Sequence, residues 1–505
     1  MVVKYMKKRK KNILNSGIIL LLFLLIFTLN NLPIKHEIQK NQQFDSSECT
    51  GQRVPPLELA SFYDGGRAYG VYVNENIAYI VGPDRGLEII NVSNPTNLSK
   101  LGEFDEGGNG FNVYVSGDIA YIADGADGLK IVNVSDPTNI SKLGEFSNVN
   151  CAYDIYVVGE RGYIADGHSG LTIINIADPK NPYKLGQYND SSGLSVDVYV
   201  NDNRAYVADH GDGLEIINIV MPNAPYCLGE YDDGGYAMGI YVEEDLAYVA
   251  DGDDGLEIID VSDPTNPSEI GQFDDGGRAR DVYVSDDIAY IADDYDGAVE
   301  LIDVSLASFP SEISQYGDCP DAYTVQIDRG IIYLADESNG LRLIDAGCDT
   351  DRDELSDWEE TLGLRGYLTD PNDADTDNDG MKDKWEIVYD LNPTLSTDNI
   401  TDNDFDDLLA VYEFGNGTNP NNNDTDNDDI NDKEELILGL DGYITNPTND
   451  DTDNDGISDG EEIIAGNDGY ITDPTNDDTD GDTYTDGEEV EAGTNPLDPN
   501  DYPIE

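Results

Sequence analysis

FNVYVSGDIAYIADGADGLKIVNVSDPTNISKLGEF, running from Phe111 to Phe146, decides the fold. Four short apolar runs stand in it: FNVYV, IAYIAD, GLKIVNV and KLGEF. β-Branched and aromatic residues fill the runs, and Gly, Asp, Asn and Pro fill the gaps, as in short strands joined by tight turns. GADG, between the second and third runs, is Asp-Gly turn chemistry. SDPTN, between the third and fourth, carries a proline that would interrupt a strand ladder. The stretch therefore predicts a sheet of four strands, lettered A to D in chain order.

The same unit recurs on both sides. Its Tyr-Ile/Val-Ala-Asp element starts at Tyr79, Tyr121, Tyr163, Tyr206, Tyr248, Tyr290 and Tyr333, at spacings of 42 or 43 residues. A period in this range is a signature of propeller blades. Strand types A, B and C each occur seven times. The first D-type run, LELASFY from Leu57 to Tyr63, precedes the first A strand, and the last C-type run, GLRLIDA, has no D after it. A ring resolves both ends. The first D strand pairs with the last C strand and closes an all-β, seven-bladed propeller over residues 57–346.

GLEIIDVSDPTNP and YVADG, repeated along this stretch, resemble the LVIVD-repeat β-propellers of prokaryotic surface proteins. The resemblance implies a fold and carries no common reaction. The D-to-A and B-to-C loops belong on one face of such a ring. That face collects Asp105, Glu106, Asp232, Asp233, Asp274 and Asp275, with Arg67, Arg278 and Arg280 nearby. These carboxylates read first as turn residues, and second as a seat for a basic partner, a polyol or a cation. The repeated strand-B tyrosines read as packing, and the Asp of YIAD as a structural acceptor.

Cys49 precedes the closing D strand and Cys348 follows the C strand it pairs with, so both fall at one edge of the ring. We expect a Cys49–Cys348 disulfide there. Cys151, Cys227 and Cys319 complete an odd count, which leaves at least one free thiol or an intermolecular bond.

After Cys348 the composition changes. DTDRDELSDWEE, DTDNDGMKDKWE, DTDNDDINDKEE, DTDNDGISDGEE and DTDGDTYTDGEE begin at Asp349, Asp375, Asp424, Asp451 and Asp478. Each has Asp at positions 1, 3, 5 and 9 and Glu at position 12. The candidate ligands are thus Asp349, Asp351, Asp353, Asp357 and Glu360; Asp375, Asp377, Asp379, Asp383 and Glu386; Asp424, Asp426, Asp428, Asp432 and Glu435; Asp451, Asp453, Asp455, Asp459 and Glu462; and Asp478, Asp480, Asp482, Asp486 and Glu489. Alternate carboxylates on a tight loop point to one side, and a long Glu at position 12 closes an oxygen shell of the EF-loop type. One like-charge pair ~4 Å apart costs about 4 kcal/mol at an effective dielectric near 20. The loops therefore bind a counter-ion or stay expanded, and a hard carboxylate shell selects Ca²⁺. Gly380 and Gly456 suit the sharp turn at position 6, where Glu354, Asp429 and Thr483 do not. A further loop from Asp402 keeps Asp402, Asp404, Asp406 and Glu413 but has Ala410 at position 9, and reads as degenerate. Asp at position 9 with Glu at 12 also fits a helix capping box.

Punctuated by GTNP and YITDPTND, residues 347–505 resemble thrombospondin type 3 repeats in a cysteine-free prokaryotic form. The resemblance implies a calcium-loaded, elongated spacer or adhesion module whose ligands are the carboxylates named above.

A basic run, Lys7 to Lys11, precedes an apolar run from Ile18 to Leu29. Residues 1–35 therefore read as a signal peptide or signal-anchor, with 36–56 a linker and everything beyond outside the cell. Any contact with the membrane is expected through this segment alone. The formal charge of −78, from 105 Asp+Glu against 27 Lys+Arg, excludes a nucleic-acid binder. With only three His and no nucleophile–base spacing, the chain reads as a non-enzymatic surface protein that binds calcium and an extracellular protein or glycan. A propeller enzyme acting on glycans is the alternative.

Overall fold

The computed structural model describes residues 52–189, 191–274, 276–294, 298–317, 321–438, 442–464 and 469–503. The apolar N-terminal segment, Cys49, Asp275 and Cys319 lie outside them. Among the described residues no helix is long and apolar enough to cross a membrane.

Seven four-stranded antiparallel sheets form the ring. In the blade read first, A is Asn112–Ser116, B is Ile119–Ala123, C is Leu129–Asn133 and D is Ser141–Phe146. The last sheet runs Leu57–Phe62, Gly340–Asp345, Ile331–Asp336, Ala322–Asp328. Leu57 pairs with Asp345 and Phe62 with Leu341, so the first strand of the ring supplies the last D strand.

The core lies between blades. Tyr121, Ala123, Leu129 and Ile131 of one blade pack on Ile155, Val157, Ile164 and Ile174 of the next. Burying each such Leu, Ile or Val contributes about 1.5–3 kcal/mol, so a blade is stabilised chiefly by its neighbours. Each C–D pair carries a register shift, between Lys142 and Gly144 in this blade. A Cβ on Gly144 would sit 2.2 Å from the Pro179 carbonyl. The glycine of KLGEF is therefore needed where the next blade's C–D turn crosses the D strand.

The chain then enters the acidic repeats. Gln52–Arg53 pairs with Cys348–Asp349, with Arg53 opposite Cys348. Cys348 is disulfide-bonded, while Cys151 and Cys227 are free thiols. Short helices follow the loops at Asp357–Leu362, Asp383–Val388, Ala410–Asn416, Asp432–Leu436, Asp459–Ile463 and Asp486–Ala492. The first loop is docked on the propeller. Trp358 packs against the buried cluster that includes Val71 and Ile331, its Nε1 donates to the Arg329 carbonyl at 3.1 Å, and Ser356 bonds Asp345.

Candidate functional site

Each acidic loop is shaped by its own backbone. Asp375 at position 1 accepts from the Asp379 and Gly380 amides at 3.0 and 2.9 Å. Asp451 accepts from Asp455 and Gly456 in the same way. Position 6 takes a left-handed φ whatever stands there: 101° at Gly380 and 99° at Gly456, but also 79° at Glu354, 80° at Asp429 and 93° at Thr483. The three loops without glycine keep the turn and carry the strain of a side chain in that region.

Position 9 differs from its expected role. Asp383 accepts from both the amide and the hydroxyl of Thr376, at 2.9 and 2.7 Å. Asp357 with Thr350, Asp432 with Thr425, Asp459 with Thr452 and Asp486 with Thr479 repeat this. Both oxygens are engaged in a clasp that fixes the loop's two ends. The capping box is also displaced by one residue. Ser356 with Glu359 and Thr485 with Glu488 form it, at positions 8 and 11, and Asp at position 9 is the first helical residue. Glu at position 12 therefore owes nothing to the cap.

Positions 3 and 12 are what the loop leaves over. Both carboxylate oxygens of Asp351, Asp377, Asp426 and Asp480 are buried with no hydrogen-bond partner, as is Asp453 Oδ2. So are both oxygens of Glu386 and Glu489, and Oε2 of Glu360, Glu435 and Glu462. The second oxygen of these last three accepts from Thr369, Thr445 and Thr472 at 2.8–3.0 Å. Position 5 divides its carboxylate. Asp379 Oδ1 takes the Met381 amide and Oδ2 is unpartnered. Asp428 and Asp455 instead reach the Gly460 and Gly487 amides of the following loops, at 3.1 and 2.9 Å, and Asp353 reaches Lys384 at 3.3 Å.

Burial first, and mutual repulsion second, push Glu360, Glu386 and Glu435 up to about 9 and Glu462 to about 8. Groups this costly to ionise are clustered by a fixed loop into an oxygen-only donor set of the kind that could hold a metal ion. One oxygen from each of Asp377, Asp379, Glu386 and Asp398 lies within 4.8 Å of the others. Asp398 comes from the segment between loops, outside the twelve-residue register, and sequence reasoning missed it. Its neighbour Asn399, which opens an N-x-T triplet, donates to the Asp379 carbonyl at 2.8 Å. Asp353, Glu360 and Asp383 form a similar group across two loops.

The loop from Asp402 is not degenerate at its centre. Glu413 is fully buried with both oxygens unpartnered, as are Oδ2 of Asp404 and Asp406. It lacks only the clasp, since Asn403 and Ala410 replace the Thr and the Asp together.

A second constellation lines the propeller axis. A cavity of about 190 Å³ is lined by Phe111, Tyr153, Met238, Arg280 and Tyr323 together with Asp154, Asp197 and Asp281. Tyr69 stacks on Tyr323 and Phe111 at 4.6 and 5.8 Å. Asp197 accepts from the Ile240 amide and Asp281 from the Val325 amide, each in the next blade. Burial raises all three carboxyls, Asp281 to about 8. Further along six of the seven A strands, Tyr72, Tyr114, Tyr156, Tyr199, Tyr241 and Tyr283 form a row with ring centres 4.9–5.3 Å apart, and Gln326 takes that position in the seventh. The outer carboxylates serve turns. Asp105, Asp232 and Asp274 each accept from the amide two residues on, at 2.7–2.9 Å.

Fold and site together define a seven-bladed propeller carrying a C-terminal array of acidic loops. Residues 65–106, 107–147, 151–190, 192–233, 234–275 and 276–318 match the LVIVD repeat, and residues 375–389, 451–476 and 478–499 match the bacterial TSP3 repeat. The chain is an LVIVD-repeat β-propeller protein with C-terminal bacterial TSP3 repeats. The seventh blade, completed by the first strand, and the loops at Asp349, Asp402 and Asp424 fall outside those matches. A comparison with curated proteins found no match. Among solved structures, the Cps50 (Swd1) β-propeller domain of Myceliophteria thermophila is 12% identical, covering 57% of this chain and 99% of its own, at a TM-score of 0.49. Virginiamycin B lyase from Staphylococcus aureus is 12% identical, covering 57% and 98%, at 0.47. The computationally designed Ika8 protein is 10% identical, covering 57% and 99%, at 0.43.

Proposed function

We propose that this is an extracellular calcium-binding protein whose acidic repeats are organised by Ca²⁺ and whose propeller presents a binding surface to a protein or glycan. One observation carries the reading: carboxylate oxygens at positions 3 and 12 are buried without a hydrogen-bond partner in loop after loop. Asp at positions 3 and 5 and Glu at 12 would hold the ion, and position 9 would hold the loop. Calcium supplies positive charge to an oxygen-only shell, which zinc, with its preference for nitrogen and sulfur, does not suit. On the propeller, the aromatic wall around the axis is where a glycan ring or an aromatic side chain would stack. One feature favours the enzymatic alternative, the pair of buried carboxyls Asp154 and Asp197 in that same cavity. A hydrolysis screen run beside a glycan array separates binding from turnover.

The test of the calcium reading uses the two tryptophans. Trp385 of the second repeat packs on Tyr389 and on Phe414 of the next loop's helix, and Trp358 sits at the junction with the propeller. Titrating Ca²⁺ into the chelated protein should give a saturable change in emission that Mg²⁺ does not reproduce. A flat or purely ionic-strength response overturns the reading.

A further inference from the structure

We propose that the propeller holds a calcium ion of its own, between Asp233, Asp251, Asp254 and Glu257. The blades provide an internal control. One strand-C position carries Glu88, Lys130, Thr172, Glu215, Glu257, Glu300 and Arg342 in turn, beside the Asp that ends strand B. Four blades answer that position with a partner or with the loss of the acid. Gly82 replaces it in the first blade, and Lys100 bonds Glu88 and, at 2.9 Å, Asp64. Lys130 Nζ stands 3.8 Å from Asp124. Thr172 Oγ1 donates to Asp166 at 2.9 Å. Arg342 Nε donates to Asp336 at 3.0 Å.

The blade of Gly239–Glu243, Leu246–Ala250, Leu256–Asp260 and Ser268–Phe273 has no such partner. Asp251 and Glu257 are each 3% exposed, and Asp251 Oδ1 and Glu257 Oε1 have no hydrogen-bond partner. No described Lys or Arg pairs with either. Glu269 stands on strand D where Lys100, Lys142 and Lys184 stand in the first three blades, and it accepts from the Tyr231 hydroxyl at 2.9 Å. One oxygen from each of Asp233, Asp251 and Asp254 lies within 4.8 Å of the others. Burial, then the surrounding carboxylates, raises Asp251 to about 7 and Glu257 to about 9. Three carboxylates around one point, with Glu257 in hydrogen-bond contact with Asp233 beside them, make an all-oxygen seat for a hard divalent cation. The ion takes the place that an amine holds in the blades with lysine.

This site does not depend on calcium in the TSP3 repeats, and one experiment reads the two apart. Hydrogen exchange of the full chain is compared in calcium and in chelator, following peptides over 246–260, 119–133 and 451–462. At ten times the dissociation constant, calcium should slow opening-limited exchange over 246–260 about tenfold. It should leave 119–133 unchanged, because Lys130 is part of the chain. Glu257→Lys and the milder Glu257→Gln should each abolish the response over 246–260 and preserve any response over 451–462. Equal exchange over 246–260 with and without calcium overturns the proposal. So does an equal slowing over 119–133, or a response that survives both substitutions. The 451–462 peptides report separately on the repeats.

Discussion

At the residue scale, the loops separate the groups that shape a site from the groups left to a ligand. Thr376 and Asp383 illustrate the first kind, since their two hydrogen bonds hold position 2 against position 9. Thr376→Val removes the hydroxyl donor and keeps the amide. It should cost about 1 kcal/mol, read as weaker calcium binding in a titration followed by Trp385 emission. An unchanged titration would mean that Asp383 acts only through its neighbours. Thr483 shows strain instead, a β-branched side chain at φ 93°. Thr483→Gly should stabilise the last repeat by roughly 1 kcal/mol, seen as a higher midpoint for that segment in thermal unfolding with calcium. In the propeller the informative residue is Asp281, raised by burial to about 8. Its folded value lies above its unfolded one, so the stability it contributes is full below about pH 4. That contribution is lost as pH rises through about 8. The melting temperature of the propeller should therefore fall as pH rises from about 4 to about 8 and level off above that, and Asp281→Asn should flatten the fall. An identical pH profile for the variant would remove Asp281 from the account.

At the element scale, neighbouring repeats are joined side chain to backbone. The position 5 carboxylate of one loop accepts from the position 10 amide of the next, Asp428 from Gly460 and Asp455 from Gly487. A Cβ on Gly460 would fall 1.7 Å from the Asp428 carbonyl. Gly460→Ala should force these two loops apart and lower the steepness of calcium-induced ordering without removing a ligand. Circular dichroism against free calcium reads this, and an unchanged slope would show that the loops order independently. Much of this was legible in the sequence. The 1-3-5-12 carboxylates, the turn glycines and the four strands of each blade depend on local period and spacing, which a single chain displays. The recurrent DTD, with Thr at position 2, also carried the clasp, because the one loop lacking Asp at position 9 lacks the Thr as well. Asp398 was not legible, since it reaches its neighbours from a connecting segment of irregular length. Nor was the axial constellation. Asn112, Asp154, Asp197 and Asp281 stand one or two blades apart along the chain and line one cavity only when the ring closes.

At the scale of the whole molecule, that closure is the step on which the rest depends. The core lies between blades, so an open ring exposes the apolar faces of its first and last sheets together. The final sheet borrows Leu57–Phe62 from the start of the ring, across nearly 300 residues of chain. Holding those ends together costs loop-closure entropy that local contacts do not return. Two features act at that seam. Gln52–Arg53 adds a short second ladder on Cys348–Asp349, and Cys348 is disulfide-bonded. Arg53 faces Cys348, which brings the chain that follows Cys49 to this edge, and Cys49 itself lies outside the described residues. The expected pair is Cys49–Cys348, a link around the whole propeller. A link closing so long a loop stabilises by roughly 5 kcal/mol in the chain-entropy model. Peptide mapping without reductant should find that pair, and Cys49→Ser with Cys348→Ser should lower the unfolding midpoint of the propeller and of the docked first repeat together. A Cys319–Cys348 peptide in the map would instead place the link within the last blade, and the ring would then close by strand pairing alone.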